Sequence, residues 1–133
     1  MIRTVSNSTL PAATDDLMTR IVGCAIAVHR ALGPGFLENI YATALAVEMD
    51  FARLPFEREV PVVVNYRGTL IAGQRVDLSV GGEVIVEIKA VARMDPIFEA
   101  KLLSYLRTTR LRAGLLINFN VPLLKDGIKR MVL

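Results

Sequence analysis

Two carboxylates and a lysine lie close together in the middle of the sequence, and their residue types suggest metal-ion chemistry. Asp77 is followed ten residues later by Glu87, and Lys89 comes two residues after that. Carboxylate oxygens without a histidine or cysteine partner suit Mg²⁺ or Mn²⁺. The alternative is a surface charge cluster in which Arg75 and Lys89 offset the repulsion between the two acids. Both interpretations require the acids to face each other.

A hairpin register would place the two acids side by side. Hydrophobic residues alternate on both sides of residues 81–83, which indicates two antiparallel strands joined by a three-residue turn. The register that directs these hydrophobic residues to the core puts Asp77 opposite Glu87 on the other face, with Cβ atoms roughly 5 Å apart. Lys89 then lies on the same face as the acids, opposite Arg75. The paired residues are Val76 with Ile88, Leu78 with Val86, and Val80 with Val84.

The periodicity of the rest of the chain predicts the elements that position this hairpin. Two helices come first, one capped by Thr14 and ended by Gly33, the other between Gly35 and Pro55. Three strands, a helix from Pro96 and a buried strand over 113–119 follow, giving the order α-α-β-β-β-α-β with a C-terminal strand or helical turn at 128–133. This is an α/β fold, a mixed sheet of a β-meander and a crossover strand flanked by helices. The second helix is predicted to turn Leu37, Ile40, Ala44, Val47 and Phe51 to the core.

The composition excludes several classes of protein. The 133 residues are 53% hydrophobic and 22% charged, which predicts one folded domain at 15–133 after a flexible segment at 1–14. The single cysteine, Cys24, and single histidine, His29, exclude a disulfide framework and a Cys-based zinc cluster. Because no hydrophobic run reaches the roughly 18 residues that span a bilayer, and no signal peptide is evident, we expect a cytoplasmic protein without membrane contact.

Basic residues are concentrated towards the C-terminus. The net charge is +3, and the excess of lysine and arginine over acids falls in residues 93–133. Such asymmetry suits a polyanionic partner, although an ordinary solvated face is the alternative. The residues predicted to contact phosphates are Arg107, Arg110, Arg112, Lys125, Lys129 and Arg130.

The acids and the lysine resemble the D…E-x-K signature of the PD-(D/E)XK nuclease superfamily, with Ile88 at the variable position. The predicted order of elements is similar to the αβββαβ core of that superfamily. The resemblance implies metal-assisted phosphodiester hydrolysis in nucleic acid, DNA in preference to RNA. Mg²⁺ or Mn²⁺ would be held by Asp77, Glu87 and the Ile88 carbonyl. Lys89 would orient the attacking water and stabilise developing charge. A homodimer is left open.

A second motif resembles a narrower family. Gly35, Glu38 and Tyr41 spell G-x-x-E-x-x-Y, and with their flanking sequences they are similar to the GxxExxY protein family, itself placed in the superfamily. The resemblance spans roughly residues 17–132. It implies that Glu38 binds the metal through water or holds a second ion, and that Tyr105 belongs to the site.

Lys101 departs from the family pattern, which often has a glutamine four residues before the tyrosine. Lysine donates hydrogen bonds but cannot accept them, and it adds a positive charge. It could contact phosphate within the catalytic site, or it could compensate the acids in a protein that no longer binds metal. The alternative function is therefore a catalytically inactive nuclease-fold module for binding or assembly.

Overall fold

A computed structural model describes the backbone of Arg3–Thr4 and the whole chain from Leu10 to Leu133. The helices are α1 (Ala12–Leu32), α2 (Glu38–Phe51) and α3 (Pro96–Thr109), with a short 3₁₀ turn at Leu124–Gly127. The strands are β1 (Arg3–Thr4), β2 (Phe56–Tyr66), β3 (Thr69–Val80), β4 (Val84–Lys89), β5 (Ala113–Asn118) and β6 (Ile128–Val132).

The predicted α/β fold is confirmed. The strands form one mixed sheet in the order β1-β6-β5-β4-β3-β2. The meander β2-β3-β4 is antiparallel, whereas α3 crosses over so that β5 lies parallel to β4. The C-terminal segment, predicted as an edge strand or a helical turn, is a strand between β5 and β1. A strand–helix–strand crossover of this kind is what a buried parallel pair requires.

The hydrophobic core consists of two layers, one on each side of the sheet. α1 and α2 cover one side, where Ile21 and Leu45 pack against Leu78 and Val86. α3 covers the other side, where its residues Leu102 and Tyr105 pack with Val62 and Ile85 from the strands. Alternate residues of β4 serve the two layers, as expected of a strand buried on both faces.

The first helix begins earlier than predicted. Thr14 is not its cap, because α1 starts at Ala12, Pro11 occupies the N-cap position and the Thr14 side chain is buried. The fixed φ of proline suits a helix entrance. Residues 1–2 and 5–9 of the predicted flexible segment 1–14 lie outside the described residues, whereas Arg3–Thr4 pairs with β6 and 12–14 belong to α1. None of the helices in the described residues is long and hydrophobic enough to cross a membrane.

The second helix faces the core with a different side from the one predicted. The buried residues of α2 include Tyr41, Leu45 and Met49. Leu37, immediately before the helix, is 78% exposed, and Phe51 at its end is 82% exposed. Ile40 and Val47 of the predicted core stripe are also exposed, and Ala44 is only half-buried. Because α2 is hydrophobic on more than one side, periodicity alone did not identify the buried side.

Candidate metal centre

The turn between β3 and β4 has the predicted register. Leu78 pairs with Val86 and Val80 with Val84, which leaves three residues in the turn. Gly81 and Gly82 both have positive φ, a conformation that glycine adopts without steric cost. The register inferred from hydrophobic alternation is therefore confirmed for the half of the hairpin next to the turn.

The other half of the hairpin departs from the prediction. Within the described chain the β3–β4 ladder ends at Leu78 and Val86, so the expected pair of Val76 with Ile88 is not formed. The expected pair of Arg75 with Lys89 is also absent, because the β3–β4 ladder has already ended, and Arg75 pairs only with Pro61 of β2 in the described sheet. The strands separate immediately beside Asp77.

Asp77 lies where β3 changes the side on which it packs. Val76 belongs to the layer under α3, whereas Leu78 belongs to the layer under α1 and α2. In a regular strand, residues two apart share a face, so the alternation is interrupted between them. Glu59, the β2 residue at this level, has φ of 52° and is skipped in the pairing. This irregularity frees the backbone N–H of Asp77 from an ordinary ladder.

Reciprocal hydrogen bonds hold the two acids together at this point. The N–H of Asp77 donates to Oε1 of Glu87 at 2.9 Å, and the N–H of Ile88 donates to Oδ2 of Asp77 at 2.7 Å. Carboxylates thus replace the carbonyl groups that a continued ladder would supply. The N–H and C=O of a strand residue point to the same side, so the Ile88 carbonyl also points towards β3. Two carboxylates and a backbone carbonyl therefore lie together where β3 separates from β4 beside Asp77, a place that we call the gap.

Burial and mutual repulsion disfavour the charged forms of these acids. Burial, and after it the negative charge of Asp77, raise the pKa of Glu87 to about 7, although the hydrogen bond from Asp77 and the charge of Lys89 act in the opposite direction. Burial likewise raises the pKa of Asp77, while the hydrogen bond from Ile88 and then Lys89 lower it. A divalent cation would remove the cost of charging both groups.

Lys89 supplies positive charge next to the acids and is held by an aromatic ring. It follows Glu87 by two residues on the side of β4 that faces α3. Its Nζ lies 4.6 Å from the centroid of the Phe98 ring at the start of α3, a cation–π arrangement. Phe98 was not among the residues predicted from the sequence, because only the packing of α3 on the sheet brings its ring to Lys89.

Asn118 is a second residue that the sequence analysis missed. It is buried at the end of β5, in register with Lys89. Its Nδ2 donates to the Val91 carbonyl, and its Oδ1 accepts from the N–H groups of Val91 and Asn120. The amide therefore fixes the chain that leaves β4 after Lys89. A single polar residue at the end of a hydrophobic strand was the available signal.

The G-x-x-E-x-x-Y motif places Glu38 at the rim of the site. The Tyr41 hydroxyl donates to the Gly33 carbonyl at 2.5 Å and accepts from the N–H of Phe36 at 3.1 Å. Its ring stacks on Phe119 with centroids 4.6 Å apart. These contacts fix the loop before α2 and so the position of Glu38, the first residue of that helix.

Glu38 lies close enough to the other acids for their charges to interact. Partial desolvation raises its pKa, Lys89 lowers it and Asp77 raises it. Among the described residues, however, no three His, Cys, Asp or Glu side chains are close enough to form a metal-binding group. Glu38 therefore belongs to the surroundings of Asp77 and Glu87, at greater distance than a direct ligand of the same ion.

Tyr105 of α3 lies beside the acids, whereas Lys101 is exposed. Tyr105 is buried, and desolvation raises its pKa, followed by the charges of Glu87 and Asp77. Lys101, one helical turn earlier, is exposed to solvent. Among the described residues whose charges shift the pKa of the acids, Lys101 does not appear. Its contact with the site stays a prediction.

The donor set at the gap fits a hard divalent cation. Asp77, Glu87 and the Ile88 carbonyl provide oxygen donors, and Mg²⁺ is usually bound through one or two carboxylates together with water and substrate phosphate. A third acid within direct reach is therefore not required. The raised pKa values of both carboxyls are consistent with a site that gains stability when a cation binds.

The six basic residues expected to contact phosphates do not form one surface. Lys129 and Arg130 are neighbours in β6 and point to opposite sides of the sheet, where Lys129 forms an ion pair with Glu99 at 2.7 Å and Arg130 with Asp15. Adjacent strand residues always diverge in this way. The expectation that these residues form a single surface was therefore wrong, whereas the contact of each with nucleic acid is still a prediction.

Arg112, which follows the end of α3, is distant from the acids. Arg107 and Arg110 are exposed, and Arg112 immediately precedes β5. The other end of β5 is in register with Lys89, so a strand length of roughly 17 Å separates Arg112 from that level. Lys125 lies elsewhere again, in the wall of a cavity of about 470 Å³ beside His29. None of the candidate metal-binding residues lines this cavity.

A comparison with protein families identifies the relationship. A family model described as the PD-(D/E)XK nuclease superfamily matches residues 15–131, which include Asp77, Glu87 and Lys89. No curated protein and no solved structure matches the chain. Members of this superfamily generally use divalent metal ions, in agreement with the oxygen donors at the gap. Because this family model matches nearly the whole length of the chain, the chain belongs to the PD-(D/E)XK nuclease superfamily.

Proposed function

We propose that this protein is a Mg²⁺- or Mn²⁺-dependent nuclease that hydrolyses phosphodiester bonds in nucleic acid, DNA in preference to RNA. The observation that carries the proposal is the pair of reciprocal hydrogen bonds between Asp77, Glu87 and the backbone, with Lys89 on the same face of β4 as Glu87. Within the superfamily we assign the chain to the GxxExxY proteins, on the motif of Gly35, Glu38 and Tyr41.

Asp77, Glu87 and the Ile88 carbonyl would hold the metal ion. When bound, such an ion lowers the pKa of a coordinated water and neutralises charge on the attacked phosphate. The hydrogen bonds from Ile88 and Asp77 fix one oxygen of each carboxylate, so the two groups are oriented before any ligand binds. Preorganised donors of this kind avoid the cost of rearrangement during the reaction.

Lys89, Tyr105 and Glu38 would act on the substrate and its water. The Lys89 ammonium group, placed by the Phe98 ring, stabilises negative charge that develops on the phosphate and orients the attacking water. Tyr105 keeps its proton at neutral pH because its pKa is raised, so its hydroxyl can donate to a phosphate oxygen. Glu38 at the rim accepts hydrogen bonds from water near the metal, and Lys101 contacts phosphate from α3.

One observation favours the second candidate, an inactive nuclease-fold module for binding or assembly. Lys101 stands where the family pattern often has glutamine, and an ammonium group cannot accept a hydrogen bond from a water molecule. In such a module Asp77 and Glu87 would serve only as partners of the backbone at the gap. The two candidates differ in whether nucleic acid is cleaved in the presence of metal.

The test is cleavage of plasmid DNA, linear duplex DNA and RNA with Mg²⁺, Mn²⁺ or EDTA. We expect cleavage by the natural protein with either metal, and a loss of about 10³-fold or more in Asp77→Asn and Glu87→Gln. Glu83→Gln is the matched control, because it removes a carboxylate from the exposed turn of the same hairpin. Calorimetry should show metal binding by the natural protein and by Glu83→Gln but not by Asp77→Asn.

Two results would contradict the proposal. Equal cleavage by Asp77→Asn and the natural protein would point to a contaminating nuclease. Absence of cleavage on all substrates, together with no metal binding, would leave the inactive module as the better description.

A further inference from the structure

Beyond Asp77 the meander continues as a two-stranded ribbon that has no sheet neighbour on its β3 side in the described part of the chain. We call residues 61–75 the outer ribbon; they comprise the distal parts of β2 and β3 and the turn that joins them. Every residue of Thr69–Arg75 is exposed, and this stretch extends roughly 20 Å from the gap. An isolated pair of strands is only marginally stable in water, so an unsupported extension of this length suggests a partner.

The tip of the outer ribbon exposes hydrophobic side chains. Tyr66 is 64% exposed and Leu70 is 70% exposed, and Val63 and Ile71 are also exposed. Tyr66 pairs with Thr69 and Val64 pairs with Ile71, so the side chains of Tyr66 and Ile71 share one face of the ribbon. Leu70 pairs with Asn65 and lies with Val63 on the other face. Contiguous exposed hydrophobic residues in a soluble domain are typical of an interaction surface.

The charge of the outer ribbon is exclusively positive. Residues 61–75 contain Arg67 and Arg75 but no aspartate or glutamate, although the whole chain has 13 acidic residues. Arg67 occupies the first turn position with φ of 52°, where asparagine, aspartate or glycine is preferred. The Asn65 side chain accepts from the N–H of Gly68 at 2.9 Å and holds this turn. The tip therefore presents an arginine at a backbone position that does not favour it.

The outer ribbon projects from the candidate metal centre and shares a face with it. Val62 of β2 is buried against the α3 layer, and Tyr66 lies four residues further along the same strand. Alternation places Tyr66 on the face that Glu87 and Lys89 also occupy. A polymer bound at Asp77 and Glu87 would therefore pass beside the ribbon.

We infer that the outer ribbon is an arm that binds double-stranded nucleic acid, and this inference rests on the proposed nuclease function. A two-stranded β-ribbon fits the major groove of a duplex. Arg67 and Arg75 would contact phosphates, and Tyr66 and Ile71, which share the face of the metal centre, would contact the bases and sugars with their hydrophobic surfaces. The arm would thereby hold the duplex with a phosphodiester bond at the metal centre.

The competing occupant is a second copy of the chain that pairs along the edge of β2. Pro61 argues against this arrangement, because proline lacks the N–H that a continuous ladder between copies would need. The absence of acidic residues from the arm also leaves its two arginines without complementary charge in an identical arm. Both features favour a polyanion.

The test measures binding without cleavage. The parent is the full-length Asp77→Asn protein in EDTA, and the probe is a fluorescein-labelled DNA duplex two helical turns long, followed by anisotropy over a range of salt concentrations. In this parent, Arg67→Asn with Arg75→Gln should raise Kd on the order of tenfold and reduce the slope of log Kd against log salt by about 2. Arg67→Asn should also make the turn more stable, so a weaker affinity would not reflect unfolding.

Matched variants distinguish a specific contribution of the arm to DNA affinity from the effect of net charge and from the effect of its hydrophobic residues. Arg20→Gln with Arg53→Gln removes the same charge near the β3–β4 turn, where Arg20 donates to the Ala52 carbonyl, and should change Kd less than twofold. Tyr66→Ser with Ile71→Ser should weaken binding while the salt slope stays as in the parent. Sedimentation of each variant reports the oligomeric state.

The outcomes distinguish this inference from the nuclease proposal. If the natural protein cleaves DNA but the arm variants bind as tightly as the parent, the inference about the arm is wrong and the proposed nuclease function is retained. If the natural protein cleaves no substrate while the arginine variants lose affinity, the inference about the arm is supported and the proposed nuclease function is wrong. Conversion of a dimer to a monomer by Tyr66→Ser with Ile71→Ser, with DNA affinity unchanged, would assign the arm to self-association and overturn the inference.

Discussion

The two halves of β3 have different environments although they belong to one continuous strand. Leu78–Val80 pairs with β2 on one side and β4 on the other, and its hydrophobic residues are fully buried. Thr69–Arg75 pairs with β2 alone and is exposed throughout. Asp77 lies between the halves. The candidate metal centre therefore lies where β3 leaves β4, one residue from Val76, the last buried residue before the exposed half.

The comparison explains why carboxylates occupy this position. The irregularity at Glu59 takes the N–H of Asp77 out of the β2–β3 ladder, and the end of the β3–β4 ladder leaves the N–H of Ile88 without a strand partner. Unpaired buried N–H groups are costly. The Glu87 and Asp77 side chains accept from these two groups. One oxygen of each acid thus stabilises the local backbone, and the negative charge that this arrangement gathers is available for a cation.

The largest expected effect is on stability, and it contrasts the two halves directly. Leu78→Ala should reduce the free energy of unfolding by about 2–5 kcal/mol, because Leu78 is fully buried under α1 and α2. Leu70→Ala makes the same chemical change in the exposed half and should alter stability by about 0.5 kcal/mol or less. Urea denaturation of both variants measures the difference. Equal losses would show that the outer half is packed as firmly as the inner half.

The pKa of Glu87 predicts a loss of stability with rising pH in the absence of metal. The native protein keeps the Glu87 proton up to about pH 7, whereas the unfolded chain releases it near the ordinary value of 4.5. Between these values the unfolded state binds fewer protons, so the free energy of unfolding decreases as pH rises. The decrease attributable to Glu87 should be about 3 kcal/mol between pH 4.5 and 7.

Denaturation at several pH values, with EDTA present, checks this expectation. Glu87→Gln should remove that part of the pH dependence, because glutamine does not titrate and its carbonyl oxygen can still accept from Asp77. Adding Mg²⁺ to the natural protein at pH 7 should restore stability through binding to the native state. A pH dependence that is the same in Glu87→Gln would mean that Glu87 titrates alike in the folded and unfolded chain.

The parts of the hairpin that the sequence could predict are those governed by short-range rules. Alternation on both strands, with glycines at the turn, was sufficient for the register of Leu78 with Val86. The same rule gave a wrong pair for Val76 and Ile88, because it assumes that residues two apart in β3 always point to the same side of the sheet. The break at Asp77 depends on both layers of the core, and neither layer is visible in the strand's own sequence.

Elsewhere the errors arise from tertiary contacts. The stripe of Leu37 and Phe51 was assigned to the core, but Tyr41 is on the buried side of α2 because its hydroxyl is paired with the loop before the helix. Phe98 could not be connected with Lys89 without knowing how α3 crosses the sheet. The general location of the acids was predictable, whereas the residues that surround them were not.

A smaller effect should distinguish the structural role of Asp77 from its charge. Asp77→Ala leaves the N–H of Ile88 without its partner, which should cost about 1–3 kcal/mol of stability. Asp77→Asn keeps an oxygen that can accept the same bond, so its stability should stay within about 0.5 kcal/mol of the natural protein in EDTA. Thermal unfolding of the two variants is the measurement. If both variants are equally destabilised, the stabilising contribution of Asp77 comes from its negative charge and not from the hydrogen bond alone.

The smallest effect is expected at Lys101. Its side chain is exposed, and the charge that lowers the pKa of all three acids comes from Lys89. Water and salt screen an exposed ammonium group strongly. Lys101→Gln should therefore change the Kd for Mg²⁺, measured by calorimetry without nucleic acid, by no more than about twofold. Lys89→Gln is the matched control, and it should tighten Mg²⁺ binding by a larger factor because it removes the nearer positive charge. Tightening of tenfold or more in Lys101→Gln would place the Lys101 ammonium group at the metal centre and would favour the inactive module, since repulsion of that strength opposes metal binding in the free protein.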